Sequence, residues 1–153
     1  VIQLLLLLFP KASTALVRIM AFHDYQEAVT GDVIGSAKVK FPKLRDVLEE
    51  IETAVDEEYK IIDGCELSDL EWIIHDLVDR GELLLWCYEQ YECGCRTPRF
   101  LKMLNRVSEK VYDLIVNFRK NILKNATAYD KHLLEGVNAF EVVLTAINPV
   151  KAK

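Results

Sequence analysis

Apolar residues recur at steps of three and four along several long stretches of this chain, bounded by residues that start or stop helices. The first confident helix opens at Phe41-Pro42, where proline takes a first helical position whose N–H would be unpaired anyway. Leu44, Val47, Leu48, Ile51, Ala54 and Val55 then form one apolar stripe, opposite Glu49, Glu50, Glu52, Asp56 and Glu57. Gly64 suits the left-handed position after a helix end, so this helix is expected to stop before it. The next begins at Ser68-Asp69-Leu70-Glu71, a capping box in which the serine hydroxyl and the glutamate carboxylate each satisfy an amide of the first turn. Its apolar residues, from Leu70 to Tyr91, spread too far round the helix for one stripe, which predicts neighbours on two sides. Gly81 within it costs about 1 kcal/mol relative to alanine, a sign of close packing or a slight bend.

Cys93-Gly94-Cys95-Arg96 makes a turn, and Thr97-Pro98 restarts the chain as cap and first helical residue. The third helix carries Phe100, Leu101, Met103, Leu104, Val107, Val111, Tyr112, Leu114, Ile115, Phe118, Ile122 and Leu123, and is expected to reach about Lys124. Two helices of about 37 Å joined by a few residues must fold back as an antiparallel hairpin. Two isolated helices cannot bury two apolar faces each, so a twofold mate is expected to complete a four-helix bundle. Thr127 caps a fourth helix, whose buried stripe is expected to be Leu133, Leu134, Val137, Phe140, Val143, Leu144 and Ile147, ending at Asn148-Pro149.

Composition agrees with an all-α chain: glycine and proline number six and four among 153 residues. The net charge of −5 hides an asymmetry, with 8 Lys/Arg against 19 Asp/Glu over residues 1–95 and 11 against 5 thereafter. Opposed halves can help subunits meet, or can simply be two solvated faces. No arginine run marks a nucleic-acid footprint. The apolar run Val1–Phe9 is too short to span a bilayer. With Ala12, Ser13, Thr14 and Ala15 after it, the run reads as a signal-peptide core, a packed amphipathic arm, or sequence upstream of a start at Met20.

No enzyme constellation is present, since His23, His75 and His132 are far apart and no phosphate-cradling loop, nucleophile elbow or H-E-x-x-H pattern occurs. Cys65, Cys87, Cys93 and Cys95 match no zinc-finger spacing. They read as mostly buried thiols, against a metal site built with His75. No cofactor, metal or small-molecule substrate is expected. Asn125-Ala126-Thr127 is a glycosylation sequon by pattern.

From Met20 onward the chain resembles the assembly domain of the hepatitis B core protein and its relatives in hepadnaviruses and nackednaviruses. The resemblance rests on Met20-Ala21-Phe22-His23-Asp24-Tyr25-Gln26-Glu27, on Phe41-Pro42-Lys43-Leu44-Arg45-Asp46-Val47-Leu48, and on the placing of Cys65. Gly81-Glu82-Leu83 and the Val137–Ile147 segment closing at Pro149 complete it. The short turn at 93–96, the missing contact-loop aromatic after Pro149 and the missing arginine-rich tail depart from the family's pattern.

The resemblance implies a virion nucleocapsid protein of the host cytoplasm or nucleus, a homodimer whose two hairpins form a four-helix bundle and whose dimers close an icosahedral shell. Viral nucleic acid would be bound only through a basic tail that this sequence does not contain, and membrane association is not expected. On this reading residues 1–19 are an extension, 20–150 the assembly domain and 151–153 a short tail. Trp72, Leu77, Leu84, Trp86, Leu104 and Tyr112 are expected at the intradimer face, and Phe140, Leu144, Pro149 and Val150 between dimers. Cys65 is the expected site of a symmetric disulfide. The alternative is a monomeric helical interaction module, an adaptor or apoptosis-type regulator that binds a partner helix in an apolar groove.

Overall fold

The computed structural model describes residues 1–31, 33, 37, 40–122 and 126–149. These residues fold into α-helices with no strand among them, so the chain is all-α. In chain order the helices are α1 (Ile2–Leu8), α2 (Thr14–Phe22), α3 (Glu27–Thr30), α4 (Pro42–Tyr59), α5 (Asp69–Glu92), α6 (Pro98–Ile122) and α7 (Ala128–Ile147). Among them, no helix is long and apolar enough to cross a membrane.

The predicted caps form. The Ser68 hydroxyl accepts from the Glu71 amide while the Glu71 carboxylate accepts from the Ser68 amide at 3.0 Å. Thr127 and Asp130 make the same reciprocal pair at the start of α7, and Thr97 caps α6 through the Phe100 amide. Each cap satisfies amides that have no partner inside the helix.

α5 and α6 form the expected antiparallel hairpin, the most extensive helix pair in the molecule. Ile74, Leu77, Val78, Leu84 and Cys87 of α5 meet Leu104, Val111, Ile115 and Phe118 of α6 in a single core. The rest of the chain then covers what the hairpin leaves open: α7 lies against both helices, and α1 and α2 both pack on α5. Gly81 shows how close this approach is. A Cβ there would lie 2.4 Å from Cζ of Phe140, so the phenyl ring of α7 rests directly on the backbone of α5. Gly136 does the same for the first segment: a Cβ would come within 2.5 Å of the Leu8 carbonyl and the Phe9 ring.

Part of the hairpin's surplus apolar surface is buried within one chain by α7 and the N-terminal helices, while Trp72, Leu83, Trp86, Met103 and Val116 stay exposed. The expected boundary at residues 19/20 falls inside α2, and Leu5, Phe9, Leu16, Ile19 and Met20 are all buried, with α1 on α5 and α7 and α2 on α5.

α4 is different. It ends at Tyr59, earlier than expected, because Lys60 takes the left-handed position (φ 50°) that Gly64 was expected to fill. Of its apolar stripe only Leu48 and Val55 are buried. Among the described elements it touches α3 alone, where the Tyr25 hydroxyl and the Gln26 amide donate to Asp56.

Candidate interaction surface

The buried face of α5 determines the opposite one. Positions 74, 77, 78, 81, 84 and 88 turn inward, so a helix of 3.6 residues per turn carries Trp72, His75, Asp79, Leu83 and Trp86 on its other side. Trp72 is 48 % exposed and Trp86 47 % exposed, with exposed Leu83 between them. Fourteen residues separate the indoles, about 21 Å along the axis.

The end of α2 meets this face near Trp72. The rings of Trp72 and His75 stand edge to face at 5.4 Å, and His75 meets His23 in the same way at 5.8 Å. His23 Nδ1 donates to the Met20 carbonyl at 3.0 Å, and Nε2 lies 2.8 Å from Asp24 and 3.8 Å from Asp79. His75 Nδ1 is 3.2 Å from Asp76. The imidazoles are thus oriented by the α2 cap and by carboxylates, with an aromatic edge exposed beside them. Among the described residues no group of three or more His, Cys, Asp or Glu side chains is arranged to hold a metal ion.

A polar clamp fixes the base of this face. Glu71 is buried, and its carboxylate accepts from the Ser68 amide, the Ser68 hydroxyl (2.9 Å) and the Tyr129 hydroxyl (2.9 Å). The Tyr129 oxygen in turn accepts from the Ser13 amide at 3.0 Å. Burial alone would raise the Glu71 pKa, but hydrogen bonds from Ser13, Ser68 and Tyr129 outweigh it and hold the carboxyl below its ordinary value. Burial, and then the bond to Glu71, pushes the Tyr129 phenol up. One carboxylate therefore ties together the α1–α2 link, the start of α5 and the start of α7.

The expected interface residues divide cleanly. Trp72 and Trp86 lie on the open face, and Tyr112 is half-buried at the edge of the core. Leu77, Leu84 and Leu104 are buried inside the subunit, with no surface left to offer a partner. Phe140, Leu144 and Pro149, expected between dimers, are likewise buried within the subunit. Val150 lies outside the described residues, as do Asn125 of the sequon, residues 123–124 at the expected end of α6, and residues 151–153. On α7 it is Val142, Val143 and Ile147 that stay exposed, which reverses the expectation for Val143 and Ile147. Cys65 is half-buried after α4, and Cys65, Cys87, Cys93 and Cys95 are all free thiols within the subunit.

Two features escaped the sequence reading. Glu71 was legible as a cap but not as a buried clamp, because Ser13 and Tyr129 are 58 residues away from it in each direction. Gly136, a glycine inside a helical pattern, is the same signal as Gly81 and marks where α1 ends against α7.

A cleft of about 340 Å³ opens between residues 7–12 and α7, with Lys11 Nζ 3.1 Å from His132 Nε2 and His132 Nδ1 3.2 Å from Glu135 on its rim. These groups are solvated, as expected of a surface network. Compared with known protein families, curated proteins and solved structures, the chain matches none.

Proposed function

We propose that this chain is a helical protein-interaction module rather than an enzyme, working through the outer face of α5. The observation that carries this reading is the pair of half-exposed tryptophans, Trp72 and Trp86, left on one face of α5 after the chain's own helices have covered its inner side. Tryptophan is strongly enriched where partners dock, because its large ring loses little conformational freedom when buried. The face stands on a helix fixed from behind by Gly81–Phe140 packing and at its base by Glu71, so it is preorganised.

The test compares what the parent chain and a Trp72→Ala/Trp86→Ala variant retain in affinity capture, with circular dichroism run on both. A partner held by the parent and lost by an equally folded variant supports the module. Identical capture by both would remove the α5 face from consideration.

A second reading is favoured by the length of the hairpin and the position of the indoles along it. Two copies meeting through α5 would cover Trp72 and Trp86 reciprocally, the arrangement that the hepatitis B core resemblance implies for a dimer that closes into a nucleocapsid shell. In this reading Cys65 pairs across the dimer and nucleic acid requires a basic tail beyond this sequence. Uniform round shells in negative-stain micrographs, with a Cys65-dependent dimer on non-reducing gels, would establish it. A chain that sediments as a monomer at assembly concentrations rules it out.

A further inference from the structure

Two helices of opposite charge, α4 and α6, do not touch each other, whereas α5, equally rich in carboxylates with seven Asp/Glu and one Arg, is packed on α6. α4 carries two Lys/Arg and seven Asp/Glu, whereas α6 carries six Lys/Arg and two Asp/Glu. Each shows an open face. On α4 the side holding Leu48, Val55 and Asp56 turns to α3; Ile51 (38 % exposed) stands at the edge of that stripe, Val47 (50 %) on the same flank, and Glu50 and Glu57 farther round the helix, all open to solvent. On α6 the buried face runs through Phe100, Leu104, Val111 and Phe118, leaving Arg99, Met103, Arg106 and Lys110 exposed along one stripe. Among the described residues Arg119 is the α6 cation that finds a carboxylate, on Glu141 at 2.6 Å.

The spacing of the two faces matches. Glu50 and Glu57 are seven residues apart with Ile51 and Ala54 between them, and Arg99 and Arg106 are seven apart with Met103 between. Seven residues are two helical turns, about 10.5 Å. Two helices laid side by side can therefore set both carboxylates against both guanidiniums while Val47 and Ile51, on the flank of α4, pack beside them against Met103.

We propose that the open face of α4 docks on the basic face of α6 in a second copy of this chain. The contact is separate from the Trp72–Trp86 face and does not depend on it. Its apolar flank supplies cohesion and its charges set partner and register. Because the charges are solvent-exposed in the free chain, the association is salt-sensitive. The contact joins two different surfaces, so it either forms twice in a twofold dimer, each copy giving both helices, or runs head to tail into a ring or larger assembly.

Sedimentation velocity of the full chain over a concentration series, at low and high salt, tests this. The parent is expected to associate reversibly at low salt and to dissociate as salt is added. Glu50→Lys/Glu57→Lys and Arg99→Glu/Arg106→Glu should each weaken self-association by about tenfold or more. A mixture of the two variants, or one chain carrying all four changes, should regain it, a rescue that general surface damage does not produce. A photo-cross-linker at Ile51, with one copy isotopically labelled, should join labelled to unlabelled α6 peptides; this readout needs no charge reversal and so decides the matter if a variant loses its helical signal. A parent chain that stays monomeric up to about millimolar concentration overturns the proposal. So does an association that ignores both charge reversals, or one abolished by Trp72→Ala/Trp86→Ala instead. Monomeric parent that binds anionic vesicles through Arg99 and Arg106 would assign the basic face to a membrane surface and overturn it equally.

Discussion

α4 and α5 look alike in the sequence and differ in the molecule. Both are preceded by recognisable start signals, and both carry apolar residues at helical spacing. Yet α5 packs against α1, α2, α6 and α7, while α4, among the described elements, touches only the short α3. The difference does not lie in the stripe of α4, where Leu44, Val47, Leu48, Ile51 and Val55 are ordinary core residues. It lies in what the chain brings to each stripe. An amphipathic pattern records which face prefers to leave water, and the supply of neighbours decides whether it does.

This contrast can be broken or sharpened by substitution. The largest effect is expected at Phe140, whose ring fills the space over Gly81. Phe140→Ala should cost about 3–5 kcal/mol of stability in denaturant unfolding, the range for an aromatic removed from a packed core. A loss below about 1 kcal/mol would mean that α7 is not the lid of the hairpin.

Next is Glu71, where Glu71→Gln should cost about 1–3 kcal/mol at neutral pH, because buried partners are left imperfectly satisfied. The sign with pH follows from the lowered pKa. A carboxyl that binds its proton less readily when folded contributes fully above its unfolded pKa, and that contribution disappears as pH falls through the lower folded value. Acidifying from pH ~6 to ~3 should therefore narrow the stability gap between parent and variant. A gap that widens on acidification contradicts the hydrogen-bond account.

Hydrogen exchange separates the two helices directly. Amides of α4 should exchange through local opening, well before those of α5 and α6, which should wait for global unfolding. Val55→Ala, removing one of two buried anchors, should speed exchange in α4 while changing global stability by no more than about 1 kcal/mol. Equal protection of α4 and α5 would show that α4 is held by more than α3. Trp86→Ala comes last: with its indole half in water, the folded subunit should lose less than about 1 kcal/mol, measured on monomer. A large loss would place Trp86 in the core and take it off the interaction surface.

Much of the architecture was legible before any coordinates. The helical class, the hairpin, the three caps at Ser68, Thr97 and Thr127 and the close packing at Gly81 all follow from interactions within a few residues or from one periodicity. The interface residues were legible only in part. Trp72 and Trp86 stand on the open face, but Leu77, Leu84, Leu104, Phe140 and Leu144 were expected at contacts between copies and instead face one another within one copy. A leucine at an apolar position carries no mark of whose surface will cover it. The same holds for residues 1–19: nothing in their apolar run marks that Phe9 presses against Gly136 of α7.

The sequence by itself determined local matters: where the long helices begin, how the hairpin turns and which faces are apolar. These depend on backbone hydrogen bonds, capping groups and helical periodicity, all short in range. Only the tertiary structure decided that Leu5, Phe9, Leu16 and Met20 join the core, that Glu71 and Ser13 meet at Tyr129, and that α5 packs against four helices while α4, among the described elements, touches α3 alone. Those outcomes depend on which distant segments compete for the same apolar surface, and that competition is settled by packing of the whole chain.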